Sequence, residues 1–450
     1  MPAIEELLVP ESPKKPVLSP VRVGIVGYGT VGQATAEILA SHGEEIRQRT
    51  GGVSLQVTRI SRKTPRAQET GVHSAPVVED WREVTGAADV DIVIEAIGGT
   101  GVAREVVCAA IANGKPVVTA NKALVARHGQ ELFALAHAKN LPIGIEASVA
   151  GGVPVIRAIS EALAADRIHA VYGIVNGTCN YVLTQMDHYE IDFAQALHQA
   201  QAAGYAEADS SLDIDGLDAR DKITILARIA FHGGLTPDQV PTAGIRNVTA
   251  IDFHYARRLD ATIRLVASAE RLKDGINVSV RPRLVPRDSM LAKVNGANNA
   301  IFVTGEKAGT QMFSGQGAGG GATGTAVLSD VIHIARHFSR KQNVPDVLAG
   351  LHNGRPIPLS DHSRPLTWYL RLTVADHPGV LAQVAEAIAR EHINIDSVIQ
   401  EPHMKKERLS FVITLEPVRE SIVRDAVQAI NKFGFMLEPA LLLPVVSEAG

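Results

Sequence analysis

The sequence predicts an α/β chain in which a doubly wound parallel sheet comes first, an α+β domain follows, and a compact βαββαβ domain closes the chain. Three observations carry this expectation. From Val21 to about residue 150, short apolar runs alternate with stretches of helical period, the pattern of a parallel sheet. At Gly151 the alternation stops. The last eighty or so residues read strand, helix, strand, strand, helix, strand, the ferredoxin-like arrangement.

Taken in order, "VRVGIVG" gives a first strand and "TVGQATAEILASHG" a helix stopped by its Gly43. "SLQVTRIS" alternates as a second strand. Asp91 to Ile97, "DIVIEAI", is a buried strand, followed by a helix from Val102 to about Asn113. "PVVTA" is another strand, then come a helix from Ala123 to about Lys139 and the strand "PIGIEAS". Beyond Gly151, "VPVIRAISEALAA" has helical period and "RIHAVYGIV" reads as a strand. Two helices flank the acidic stretch Ala206 to Lys222, and strands return near Ile276 to Leu284 and Asn299 to Thr304. "GQGAGGGATGTAVLSDVIHIARHF" is a Gly-rich loop opening a helix. In the tail, "WYLRLTVA", "INIDSVIQE", "RLSFVITLEP" and "PALLLPV" are strands; "GVLAQVAEAIAREH" and "ESIVRDAVQAINKF" are helices.

The bulk numbers fit such a chain. With 450 residues it holds roughly two to four domains. Its 46% hydrophobic residues against 20% charged are ample for packed cores and exclude global disorder. A net charge of −4 with no basic block argues against nucleic acid and anionic membranes as partners. The two cysteines, Cys108 and Cys179, offer neither a disulfide framework nor zinc spacing, so a reducing cytoplasm is expected. The N-terminal "MPAIEELLVPESPKKPVLSP" lacks an apolar segment and reads as a flexible tail, not a signal peptide. No apolar run reaches about eighteen residues, so no membrane span is expected.

Gly27, Gly29 and Gly32 form G-x-G-x-x-G between the first strand and its helix. Glycines there permit a tight turn and close approach of backbone N–H groups to a pyrophosphate, and the helix N-terminus adds a favourable dipole. The end of the second strand usually carries an acid for the ribose 2′-OH of NAD. Here it reads "RISRKTPR", and Arg62 and Lys63 suit a 2′-phosphate, so NADP is favoured over NAD. The bland alternative is a solvated basic turn.

The stretch Ala206 to Lys222, "AEADSSLDIDGLDARDK", packs carboxylates ahead of one lysine. The period of "GLDARDKITILARIAFHGG" puts Asp218 and Lys222 at i, i+4 on one helix face. Three readings are open. A solvated surface pair is worth about 0.2–0.5 kcal/mol. Glu207 and Asp218 could instead hold a substrate ammonium beside a lysine that moves a proton. A divalent metal is disfavoured, because Asp209, Asp213 and Asp215 match no EF-hand spacing.

Several ordered motifs then agree: "GYGTVG", "TANK" (Thr119 to Lys122), "EASVAGGVP" (Glu146 to Pro154), "NGTCNY" (Asn176 to Tyr181), "GYAEAD…DIDGLDARDK" and "GQGAGGGATGTAV". Through them the chain, from about Val21 to its end, resembles the homoserine dehydrogenases in the bacterial form with a C-terminal ACT domain. That resemblance implies NAD(P)-linked interconversion of L-homoserine and L-aspartate 4-semialdehyde, on the route to threonine and methionine. It implies Glu207 and Asp218 as substrate ligands, Lys222 as the lysine exchanging a proton with the reacting oxygen, and Lys122 as a second active-site lysine. Gly177, Thr178 and Tyr205 would line the substrate pocket. Cofactor contacts would come from Gly27, Gly29, Thr30, Val31, Gly32, Arg62, Lys63, Gly98, Thr100, Lys122 and Gly319. Glu146, Val149, Gly151 and Val153 match a monovalent-cation site, for sodium or potassium. A lysine at a helix N-terminus, as Lys122 is, sits against the helix dipole, which itself asks for a functional reason.

The resemblance also implies a domain order. A tail (1–20) precedes a Rossmann-type domain (21–150, completed by the helix from about 318–340). Then come a catalytic and dimerisation domain (151–317), a linker (341–366) and the ACT domain (367–450). ACT domains commonly pair, so a homodimer or homotetramer is expected. L-Threonine is the expected feedback effector, with Asp376 and Gly379, in "ADHPGVLAQVAEAIAREHINIDSV", near its site. The chain departs from the family where Ser often stands at Cys179 and Pro-Thr at Ala322-Thr323. Two other classes are weighed: a non-catalytic amino-acid sensor on a dinucleotide fold, and a semialdehyde dehydrogenase using Cys179 as nucleophile. Retention of both lysines and both carboxylates speaks against the first. A lone Cys with no His placed to activate it speaks against the second.

Overall fold

A computed structural model describes residues 19–63, 74–339, 348, 351, 354–360, 364–402 and 406–446. Most of the expected tail (1–18) and most of the expected linker lie outside the described residues. The chain divides into two compact units, Met1–Asn121 with Glu131–Ala147 and Gly319–Asp346, and Lys122–Gln130 with Ser148–Ala318 and Val347–Gly450. Among the described residues no helix is long and apolar enough to cross a membrane.

The first unit is a six-stranded parallel sheet. Its strands are β1 (Val21–Val26), β2 (Leu55–Ser61), β3 (Val77–Val78), β4 (Ile92–Glu95), β5 (Val117–Thr119) and β6 (Ile143–Gly144), in the order β3-β2-β1-β4-β5-β6. This is the doubly wound order expected of a Rossmann-type sheet, which reverses direction beside β1. Val23, Ile25, Ile60, Ile92 and Ile94 are fully buried in it. The helix Gly320–Ser339 returns late in the chain and covers the same core with Val327, Val331 and Ala335. It packs on the first helix, Thr30–Arg49, through glycines: a Cβ on Gly320 would lie 3.0 Å from the Thr30 carbonyl oxygen, and one on Gly324 3.1 Å from Thr35 N. The Gly-rich run therefore serves close helix packing as well as a loop.

Two local expectations change. The first helix does not stop at Gly43 but runs on to Arg49. A glycine in a helix interior costs only about 1 kcal/mol, and the pairs Glu44–Arg47 and Glu45–Arg49 support the following turns. The stop comes at Gly51 and Gly52, with φ of +75° and +109°. The strand expected in "PIGIEAS" is confined to Ile143–Gly144, and Glu146–Ser148 is a 3₁₀ turn.

The second unit carries two antiparallel sheets. One contains β7 (Ile168–Ile174), β8 (Ala261–Arg271), β9 (Ile276–Pro286), β10 (Asn298–Gly305) and β11 (Gly309–Gln316), in the order β11-β10-β7-β8-β9. The sequence reading missed β8 and β11. Arg264 and small side chains interrupt the apolar signal of β8, and β11 is a largely exposed edge strand. The helical run after Gly151 is also irregular, with Val155–Arg157 α-helical and Ala158–Ala162 a π turn.

The C-terminal sheet holds β12 (Leu366–Val374), β13 (Ile395–Gln400), β14 (Leu409–Val418) and β15 (Leu441–Pro444), in the order β13-β14-β12-β15. Trp368, Leu370 and Leu372 face the helices Val380–Arg390 and Glu420–Ile430 in one core. The opposite face of β12 is buried too, because it meets the helix Ala250–Arg258. Tyr369 Oη and Arg371 Nε donate to Asp252 Oδ1 at 2.9 and 2.7 Å, and Tyr255 Oη donates to the Ser410 carbonyl. A charged residue in the middle of an apolar strand is thus explained by a partner in a distant helix.

Candidate active site

The turn after β1 has the geometry its glycines suggest. Gly27 has φ +101°, and a Cβ there would lie 2.5 Å from the Ala96 backbone. A Cβ on Gly32 would lie 2.1 Å from the Gly27 carbonyl oxygen, so this glycine lets the helix Thr30–Arg49 start against the strand. At Gly29 a Cβ would meet nothing within 4 Å. Its absence leaves open approach to the helix N-terminus, where Thr30 and Val31 begin the first turn.

Gly98 and Gly99 also have positive φ and open space beside them, ahead of Thr100 at the N-cap of the helix Gly101–Ala112. A buried carboxylate shapes this loop. Glu95 Oε1 accepts from Ile97 N and Gly98 N at 2.8 and 3.3 Å, and its Oε2 accepts from Thr119 Oγ1 at 2.5 Å. Asn121 Nδ2 ties the loop further by donating to the Gly99 carbonyl at 2.6 Å. Neither Glu95 nor Asn121 was singled out from the sequence. Gly319, at φ +107°, opens the approach to the helix Gly320–Ser339. Arg62 and Lys63 follow β2; the Arg62 backbone N–H donates to the Val78 carbonyl, and Lys63 is exposed. An open glycine turn at a helix N-terminus with cations after β2 fits a dinucleotide.

In the second unit the helix Leu217–Phe231 starts after Gly216, whose φ is +80°. Its first two turns place Asp218 and Lys222 inside, not on the surface: they are 6% and 7% exposed. Lys222 Nζ lies 2.8 Å from Asp218 Oδ2 and donates to the Val175 carbonyl at 2.7 Å. That uses two of the three donors of an ammonium. Lys122 Nζ lies 2.7 Å from Asp218 Oδ1, so one carboxylate stands between two lysines. Arg228, on the same helix, fixes the backbone behind Lys122 by donating to the Val125 and Ala126 carbonyls at 2.9 and 2.6 Å.

Asn176 completes the cluster. It caps the helix Gly177–Tyr189, its Oδ1 accepting from Cys179 N at 2.8 Å. Its Nδ2 donates to Asp213 Oδ1 and Asp218 Oδ2 at 2.7 and 2.8 Å. Burial raises the Asp218 carboxyl, but the two ammonium groups and their hydrogen bonds outweigh it and hold it well below the carboxylate range. Asp218 in turn raises Lys122 above the ordinary lysine value, against its desolvation. Asp213 is pushed up by burial and by the Asp218 charge. Spacing gives Asp213 and Asn176 no place beside Lys222; the fold puts both in contact with the cluster.

The other expected pocket residues fall into separate groups. Thr178 Oγ1 donates to the Tyr205 carbonyl at 2.6 Å, and the Tyr205 ring lies 4.8 Å from that of Tyr181. Gly177 packs under Ala297, whose carbonyl oxygen would be 2.6 Å from a Cβ. Glu207 is exposed, and its carboxylate enters no ion pair among the described residues. Asp209 and Asp215 have local partners, Ser211 and Arg246. Cys179 is buried, its Sγ 3.0 Å from the Asp213 carbonyl. Burial and the nearby Asp213 and Asp218 charges push its thiol well up, the opposite of an activated nucleophile.

Glu146 is buried, with its N–H donating to Asp330 Oδ2 at 2.8 Å. Val149, Gly151 and Val153 lie in a turn where Val153 N donates to the Ala150 carbonyl. In the C-terminal domain, Asp376 N donates to the Lys406 carbonyl, and Gly379, at φ +98°, is the N-cap of the helix Val380–Arg390.

Comparison with known proteins bears on both units. The family model for the homoserine dehydrogenase NAD-binding domain matches residues 27–146, that for homoserine dehydrogenase matches 154–332, and that for the ACT domain matches 368–435. The homoserine dehydrogenase of Pseudomonas aeruginosa is 39% identical over 438 residues, covering 95% of this chain and 99% of that one. The crystal structure of a homoserine dehydrogenase from Thiobacillus denitrificans superposes with a TM-score of 0.89 at 36% identity, covering 95% and 99% of the two chains. A hyperthermophilic archaeal homoserine dehydrogenase solved in complex with NADPH matches with a TM-score of 0.61 at 28% identity, covering 72% of this chain and 100% of that one.

Proposed function

The chain belongs to the homoserine dehydrogenase family and is an oxidoreductase with a dinucleotide-binding domain and an ACT domain; from that premise we infer how its own residues divide the work. The substrate pair is L-homoserine and L-aspartate 4-semialdehyde. A single observation carries the reading of the site: one buried carboxylate, Asp218, held between Lys122 and Lys222.

The cofactor is NADP in preference to NAD, with Arg62 and Lys63 on the 2′-phosphate. Gly27, Gly29 and Gly32, with Thr30 and Val31, would hold the pyrophosphate, and Gly98, Thr100 and Gly319 would border it. Bound there, the nicotinamide supplies hydride acceptance and donation. Lys222 exchanges the proton on the substrate oxygen through the donor that its bonds to Asp218 and Val175 leave over. Lys122, raised by Asp218, stays an ammonium and stabilises negative charge on that oxygen. Glu207, exposed and in no ion pair among the described residues, takes the substrate ammonium. Asp218 meets the substrate only by exchanging one of its present donors, so its first role is to keep both lysines placed. Gly177, Thr178 and Tyr205 border the substrate.

The carbonyls of Val149, Gly151 and Val153, with Glu146 the family-matched acid, would hold a sodium or potassium ion, which would neutralise their dipoles and stiffen the turn. L-Threonine inhibits through the ACT domain near Asp376 and Gly379, and the enzyme works as a homodimer or homotetramer in the cytoplasm. One assay separates these readings: reduction of NAD or NADP by homoserine, followed by absorbance, with and without threonine. Activity with homoserine, higher kcat/KM with NADP and inhibition by threonine are expected. Absence of turnover with either cofactor favours the sensor alternative. Saturating threonine that changes neither activity nor melting temperature removes the feedback reading.

A further inference from the structure

A cavity of about 70 Å³ lies where β8 and β9 of the middle sheet meet the ACT domain. By the requirement of about 10–15 Å³ per water it holds about five waters or one small ion. Its charged lining is Arg281, Arg283 and Arg364 against Glu270 and Glu420, so among the described lining residues one positive charge is uncompensated. The carboxylates are already engaged: Glu420 by Arg281 at 2.8 Å and by Arg424, Glu270 by Arg364 at 3.0 Å.

Arg283 is the guanidinium left over. It enters no ion pair among the described residues; its Nη2 donates only to hydroxyls, Ser268 Oγ and, at 3.2 Å, Ser279 Oγ. Its Nε is shut off from solvent and has no acceptor. Desolvation and the neighbouring Arg281 charge pull its pKa down to about 10, against the smaller opposing effect of the Glu270 and Glu420 charges. Arg283 is half-buried, with its Nε out of reach of water, and a guanidinium is the side chain best matched to an oxyanion.

We propose that this cavity is an anion site for a small oxyanion, a carboxylate or inorganic phosphate, with Arg283 as its counter-charge. Glu420 begins an ACT helix and Ser268 and Ser279 belong to β8 and β9, so an occupied site also fastens the ACT domain to the middle sheet. The inference does not depend on the catalytic roles given above.

The test is the melting temperature of the full chain at constant ionic strength. A bulky sulfonate buffer is replaced by acetate in one arm and by inorganic phosphate in another. Either anion should raise the melting temperature by about 3 °C or more near saturation. The arm that responds identifies the chemistry. Arg283→Met should abolish the response while leaving homoserine turnover unchanged. Ser279→Asp, which supplies a built-in carboxylate beside Arg283, should raise the melting temperature in sulfonate buffer and likewise remove the response. No shift in wild type, or equal shifts in wild type and Ser279→Asp, overturns the proposal even if the Met variant fails to fold.

Discussion

Asp218 Oδ1 lies 2.7 Å from Lys122 Nζ, joining a residue at the start of one helix to a residue near the start of another. Asp218→Asn removes the counter-charge of both lysines. Taking one partner from a buried pair costs about 3–5 kcal/mol; here that applies to Lys222, since Lys122 is 44% exposed and solvent screens its share. The expected readout is a lower urea midpoint with unchanged cofactor affinity.

The same pair fixes a pH dependence. The folded pKa of Asp218 is depressed, so its contribution is present above the unfolded value of about 3.9 and lost as pH falls below it. The folded pKa of Lys122 is raised, so its contribution is present below about 10.4 and lost as pH rises through the higher folded value. Asp213, raised in the fold, acts in the opposite sense and loses stability on deprotonation. The stability gap between wild type and Asp218→Asn should narrow from pH 5 to pH 3. An unchanged gap contradicts an ionised Asp218.

Lys222→Ala should lower kcat by about 10²–10⁴, the range of general acid–base catalysis. Far-UV circular dichroism and NADP binding should be kept. Near-normal turnover removes the role given to Lys222, and a larger loss in Lys122→Ala would transfer that role to Lys122.

Arg62→Ala should weaken NADP by roughly tenfold to a hundredfold, since hydrogen bonds to a charged group are worth about 1.5–3 kcal/mol. NAD should change little. Equal effects on the two cofactors would mean that Arg62 does not read the 2′-phosphate.

Arg371→Met leaves Asp252 buried without its charge partner. A loss of about 3–5 kcal/mol is expected, with the ACT domain becoming sensitive to protease before the rest of the chain. Limited proteolysis with mass analysis reads this directly.

Cys179→Ser should retain most of the activity, because the buried thiol makes one weak bond to the Asp213 carbonyl and is not ionised. Loss of turnover by orders of magnitude would return the nucleophile reading to consideration.

Local pattern was enough for much of this molecule. The strand–turn–helix around Gly27, Gly29 and Gly32, the spacing of Asp218 and Lys222 on one helix, and the strand–helix order of the C-terminal domain each depend on neighbours within a few turns, where periodicity and turn chemistry act. Roles for individual residues came from the family resemblance, not from spacing. What sequence could not determine is which charges are buried and which segments meet them. Asn176 reaches Asp218 from 42 residues away, Arg371 reaches Asp252 from 119, and Arg283 Nε is shut off from solvent with no acceptor among the described residues. Removing a charge from water is costly unless a partner stands within hydrogen-bonding distance, and only the tertiary fold decides which distant group is placed there.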